Sequence, residues 1–201
     1  ALLTGHFLQQ RLKPLIRPGG VTGISRTAMR TGMLALIPLL WWFTLLAASR
    51  GATVHAFEPD PANASLLRTN LAAAAALGLV TVHECAVTDR DGIMRFLAHR
   101  NPSLSALLTE ERAAGDTVTI EVRGVRLDAL DLPRVDVIKI DTEGAELGVL
   151  KGATNLPRRC SPIIVFEFAP TQYARFGTTP PQILDELTTH GYHITALAGT
   201  P

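Results

Sequence analysis

An apolar strand that runs straight into two acidic residues and a glycine, and then into an amphipathic segment, leaves a chain few ways to fold. Residues 135–153, VDVIKIDTEGAELGVLKGA, are such a stretch. Val135, Val137, Ile138 and Ile140 make a short β-branched run suited to a buried parallel strand, with Asp141 where that strand emerges. Ligands of open α/β sheets bind at such carboxyl ends. Asp141 and Glu143 then fall in the turn, Gly144 permits a tight backbone, and Ala145, Leu147, Val149 and Leu150 supply the apolar positions of a following helix. The pattern buries a strand and presents carboxylates at its tip.

The rest of the chain repeats this alternation. Residues 33–37 read as a strand, 41–50 as a helix, and 53–57 as a strand ending in Glu58 and Pro59. Asp60 is placed to cap a helix that opens on Pro61 and runs until Gly78 stops it. Strands follow at 79–84 and 93–97, separated by the loop CAVTDRDG, and TVTIEVRGVRL alternates as an extended strand at 117–127. Beyond the opening segment come a buried strand at 161–168 with Glu167 near its end, a helix on PPQILDELTTHGY ended by Gly191, and a last strand at 193–197. Residues 98–115 read as loop or short helix. Strands alternating with helices are the mark of βαβ units and an α/β fold.

With 201 residues the chain suits one domain, 31–201, behind an irregular lead-in at 1–30 rich in Arg, Gly and Pro. Nineteen Lys and Arg against 18 Asp and Glu give a formal charge of +1, so no overall field points to nucleic acid or an anionic surface. Cys85 and Cys160 lack metal-like spacing and read as buried thiols, and no metal site is assigned. Between Arg30 and Arg50 no residue is charged, and LALIPLLWWFTLLAA is almost wholly apolar. Length alone permits a membrane span there. Pro38 in its middle and the strand and helix signals that follow favour a buried strand and helix instead.

Acidic residues recur at strand ends: Glu58, Glu84 and Asp141. A carboxylate after the second strand of a doubly wound sheet can accept two hydrogen bonds from the vicinal hydroxyls of a cofactor ribose, and Glu58 fits that role. The competing role for Glu58 is favourable charge at the start of the helix at Pro61. Asp141 follows a strand that should be buried, where a carboxylate needs a partner. His55, His83, His99, His190 and His193 are alternative bases, each more simply read as structural.

Together FTLLAASRGATVHAFEPDPANASLLRTNL, VHECAVTDRDG and VDVIKIDTEGAELGVLKGA resemble the FkbM family of S-adenosylmethionine-dependent methyltransferases. The resemblance covers roughly residues 33–197, and the pairing of FEPDP with IKIDTEGAE carries it. It implies the class I methyltransferase Rossmann-like fold, a mostly parallel doubly wound sheet with helices on both faces. It also implies cytoplasmic transfer of a methyl group from S-adenosylmethionine to a hydroxyl of a small metabolite or sugar. By position, Glu58 would bind the cofactor ribose, Ala86 and Val87 would flank the adenine, and Asp141 would face cofactor and acceptor. Asp141 or Glu143 would orient the acceptor hydroxyl and take its proton, with positioning doing much of the catalysis. Oligomeric state is not read from the sequence.

One segment departs from the family. Its members carry a turn of the form DVGANIG before the FTLLA helix, where this chain has ALIPLLW: Ala35 replaces the acid, Ile37 and Trp41 replace glycines, and Leu39 replaces the asparagine. Glycines there let the backbone approach the cofactor, and Trp41 would fill the space of its methionine moiety. Two readings follow: a methyltransferase that still uses the cofactor, and a non-catalytic domain of the same fold serving binding or assembly.

Overall fold

In the computed structural model, which describes residues 38–99, 106–107 and 117–195, the strands followed by acidic residues pair in parallel, two by two. Strand β1 (Val54–Phe57) pairs with β2 (Val80–His83), Val54 opposite Val80 and Phe57 opposite His83. Their connection is helical, α2 (Pro61–Asn70) and α3 (Ala72–Ala76). Strand β7 (Val137–Ile140) pairs with β8 (Ile163–Phe166), Ile140 opposite Phe166, through α4 (Glu146–Lys151) and α5 (Asn155–Cys160). These are the expected β–helix–β units.

The third sheet is mixed. Its order is β3 (Ala86–Val87), β6 (Thr117–Val125), β4 (Gly92–His99) and β5 (Ala106–Leu107). Only β3 and β6 are parallel, while β4 runs antiparallel to both β6 and β5. The molecule is therefore α/β, but the largest described sheet is mixed rather than parallel, and the strand expected at 33–37 lies outside the described residues. The long β4–β6 ladder follows from the alternation in TVTIEVRGV, which turns Ile120 and Val122 toward Phe96 and leaves Glu121 and Arg123 exposed.

Two apolar cores hold these units. Ala48 of α1 (Pro38–Ser49), Ala56, Leu67, Leu71 and Val80 form one, with Trp41 packed against it. Ile140, Leu147, Val149, Leu150, Leu156, Tyr173, Ile183 and Leu187 belong to the other, which draws on β7, α4, α5, α6 (Pro170–Tyr173) and α7 (Pro180–Thr189). Phe57 leans on the second core, so β1 touches both.

Several local expectations hold and several change. Asp60 caps α2, accepting from the amides of Ala62 at 2.9 Å and Asn63 at 3.4 Å, with Pro61 in the first turn. The helix expected to run unbroken to Gly78 is split at Leu71, whose burial to 1 % exposure beside Leu67 turns the chain into the core. Pro38 opens α1 rather than kinking it, as a proline without an amide donor can. That helix has 12 residues, and no helix among the described residues is long and apolar enough to cross a membrane. The strand expected at 193–197 is not formed over 193–195; Ile194 is 41 % exposed, so its alternation has no face to bury. Residues 196–197 and the lead-in at 1–30 lie outside the described residues, as does most of 98–115. Cys85 is buried, Cys160 only half-buried, and both are free.

Candidate active site

Because β7 and β8 are parallel and Ile140 faces Phe166, the next residue of each strand, Asp141 and Glu167, emerges at one shared edge. The Glu167 amide still donates to Ile140 O at 3.2 Å, which fixes that residue on the sheet. On its other side Glu167 O accepts from the hydroxyl of fully buried Tyr173 at 3.2 Å, and the Ala169 amide donates to the same hydroxyl at 2.9 Å. The turn after β7 brings up Glu143. Carboxylate oxygens of Asp141, Glu143 and Glu167 all lie within 4.8 Å of one another. At that separation carboxylates share protons or gather around a cation.

Lys139 supplies a cation. Strand alternation sends Ile138 and Ile140 to the core side and Lys139 to the other, where its Nζ lies 2.9 Å from Asp141 Oδ2 and donates to Ile140 O at 3.2 Å. The same Nζ stands over the Phe43 ring of α1, 5.8 Å from its centre. Asp141 thus has a dedicated counter-charge. Glu167 does not: burial, a hydrogen bond with Asp141, and the charges of Asp141 and Glu143 push its pKa above the ordinary carboxylate value, with Lys139 opposing them.

The turn itself is held in an unusual conformation. Glu143 has φ 55° and Gly144 φ 111°, so two successive residues are left-handed. A side chain at Gly144 would meet Gln172 O at 2.8 Å and the Phe176 ring at 2.9 Å, so only glycine fits between this turn and the segment that carries Tyr173.

At the end of β1, Glu58 is half-buried. Its Oε1 accepts from the Asp60 amide at 2.9 Å, and its own amide donates to His83 O at 3.0 Å. Desolvation, opposed by the Asp60 amide, raises its pKa to about 7. The helix cap is Asp60, so capping does not account for Glu58. Ala86 and Val87, in β3, are buried and half-buried; the Ala86 side chain packs with Phe96 and Val122, and Val87 leans on the core of β7 and β8. Glu84 pairs instead with Arg68 at 2.7 Å on the surface. His55 and His83 bond one another at 3.0 Å, His190 lies 3.4 Å from Glu186, and His193 is exposed. For His99 only the backbone is described. Of the altered loop, Ala35 and Ile37 lie outside the described residues; Trp41 rests on the first core with its Nε1 buried and, among the described residues, unpartnered.

The sequence model of the methyltransferase FkbM domain matches residues 29–194, which span every element above. The chain belongs to the FkbM methyltransferase family. A curated relative, methyltransferase sdnD of Sordaria araneosa, is 32% identical over 132 residues, covering 50% of this chain and 51% of that protein. The chain thus spans about half the length of the curated relative it matches. No solved structure matches it. Methyl transfer is accordingly the chemistry this FkbM domain has to be read for.

The structure brings Asp141 and Glu143 together with two residues the sequence did not single out for a site, Lys139 and Glu167. Both had a visible signal. Lys139 is the one charged residue inside VIKI, and Glu167 follows IIVF as Asp141 follows VIKI.

Proposed function

We propose that this FkbM domain transfers a methyl group from S-adenosylmethionine to a hydroxyl of a small metabolite or sugar, on a class I, doubly wound arrangement of its parallel units. The observation that carries the reading is the carboxylate group at the paired ends of β7 and β8, where ligands of α/β sheets bind. Bound S-adenosylmethionine would supply an electrophilic methyl group on sulfur. Glu58 suits its ribose: one oxygen takes the Asp60 amide, and a carboxylate retains acceptor capacity for vicinal hydroxyls. Ala86 and Val87 are the positions carried over for the adenine edge.

Asp141 and Glu143 line the acceptor side of the site beside Glu167 and would orient the acceptor there. Lys139, with its Nζ 2.9 Å from Asp141 Oδ2, fixes the position of that carboxylate. The hydroxyl's single proton would pass to Glu167, the member of this group whose partial desolvation and neighbouring charges raise its pKa, as the acceptor oxygen takes the methyl group. The free cysteines and modest charge are consistent with a cytoplasmic enzyme acting on a small molecule rather than a nucleic acid.

A second reading, a non-catalytic domain serving binding or assembly, is favoured by the loss of the glycine turn and by Trp41 at its end. Incubation with methyl-labelled S-adenosylmethionine and a panel of hydroxylated small molecules separates the two. Label in an ether product supports O-methylation; cofactor binding without transfer to any hydroxyl supports the second reading.

A further inference from the structure

Glu146 has no part in the chemistry so far, yet it is the buried carboxylate nearest in sequence to the site. It is 0% exposed at the start of α4. One oxygen, Oε1, accepts from the Thr142 amide at 3.0 Å, the Thr142 hydroxyl at 3.1 Å and the Gly144 amide at 3.3 Å. The other, Oε2, is buried with no hydrogen-bond partner among the described residues. Burying a carboxylate is costly unless its hydrogen bonds compensate, and here all of them come from the turn between Asp141 and Glu146.

That turn needs a restraint. Left-handed backbone at a non-glycine residue costs on the order of 1 kcal/mol or more and persists only where the surroundings impose it. Glu143 at φ 55° is such a residue, flanked by the two amides that Glu146 holds. The Gln172 and Phe176 contacts close the outside of the turn at Gly144, while Glu146 closes it from beneath.

We propose that Glu146 is a positioning residue of this site: its buried carboxylate gathers the amides of Thr142 and Gly144 and so folds the turn that brings Asp141 and Glu143 to Glu167. The inference rests on reading the carboxylate group as the acceptor side of the methyltransferase, but the geometry it claims can be measured without acceptor or cofactor. Reach, rather than charge, is what the role requires. Glu146→Gln keeps an oxygen at the same distance, whereas Glu146→Asp keeps the charge and withdraws it by one methylene.

The test is the titration of the Glu167 side-chain carboxyl, followed by carbon-13 NMR on the whole chain. Glu167 faces Asp141 and Glu143 from the turn, Lys139 from β7, and Tyr173 from α6. Once Asp141 and Glu143 are freed to move away, its midpoint should fall by at least about half a pH unit in Glu146→Asp and Glu146→Ala. Glu146→Gln should stay at the wild-type midpoint. Thr142→Val removes one donor without touching the carboxylate, and should lower the midpoint partway even if the Ala and Asp variants do not fold. An unchanged midpoint in Glu146→Asp or Thr142→Val, or a fall in Glu146→Gln as large as in Glu146→Ala, would overturn the inference. Failure of the wild-type chain to bind S-adenosylhomocysteine would instead count against the functional reading and leave this measurement standing.

Discussion

Glu167 and Asp141 stand side by side but differ in company: Asp141 has the Lys139 ammonium at 2.9 Å, whereas Glu167 has partial desolvation and two neighbouring carboxylates. A base that must be ionised works only above its own pKa. Turnover should therefore rise with pH through a midpoint above the ordinary carboxylate value, and Lys139→Met should move that midpoint higher still, as a pH–rate profile would show. Glu167→Gln should lower kcat by roughly a hundredfold or more. Asp141→Asn should lower turnover more than it lowers the melting temperature, and equal losses would remove its role in the reaction. Glu58 obeys the same sign. Its folded pKa of about 7 lies above the unfolded value of 4.5, so its contribution to stability is full below 4.5 and is lost as pH rises through 7. Vicinal hydroxyls need the ionised form, so affinity for S-adenosylhomocysteine should rise about tenfold from pH 6 to pH 8, and that slope should vanish in Glu58→Gln. A flat profile in wild type would detach Glu58 from the ligand. Asp141, Glu143 and Glu58 were legible as single letters at strand ends. Lys139 was visible as the charge two residues before Asp141, but that Glu167 stands beside Asp141 follows only from the Ile140–Phe166 register, which one strand's sequence cannot state.

At the scale of elements, close approach of backbone to backbone decides which substitutions are tolerated. A methyl at Gly152, just after α4, would lie 2.0 Å from Thr88 O, and one at Gly144 would lie 2.8 Å from Gln172 O with φ already at 111°. Gly152→Ala and Gly144→Ala should each cost about 3 kcal/mol, lowering the melting temperature by roughly 10 °C in calorimetry. Gly148→Ala is the internal control: its new methyl would come no closer than 3.5 Å to Thr88 Oγ1, and it should be nearly neutral or slightly stabilising. Caps and breakers were readable where the signal is local, as with Asp60 and Pro61. The split at Leu71 was not, because five alanines in a row favour a continuous helix and only the shared core of Leu67, Leu71 and Val80 overrules them. The absent strand at 193–195 fails for the converse reason, an alternating pattern with no sheet face to cover it.

For the whole molecule, the α/β class and the family follow from motifs spread along the chain, and residues 29–194 match the FkbM methyltransferase domain. The mixed β3–β6–β4–β5 sheet was the least legible part, since an alternating strand does not announce which neighbour it will join or in which direction. The central question at this scale is whether a domain with ALIPLLW in place of a glycine turn takes up its cofactor. Glu58 and the paired strand ends of β7 and β8 argue that it does, and Trp41 at the end of that turn is the residue most able to prevent it. Calorimetric titration of the whole chain with S-adenosylmethionine and with S-adenosylhomocysteine tests this most directly. The account predicts one-site binding with dissociation constants in the micromolar range, about −8 kcal/mol; no heat of binding at millimolar ligand would contradict it.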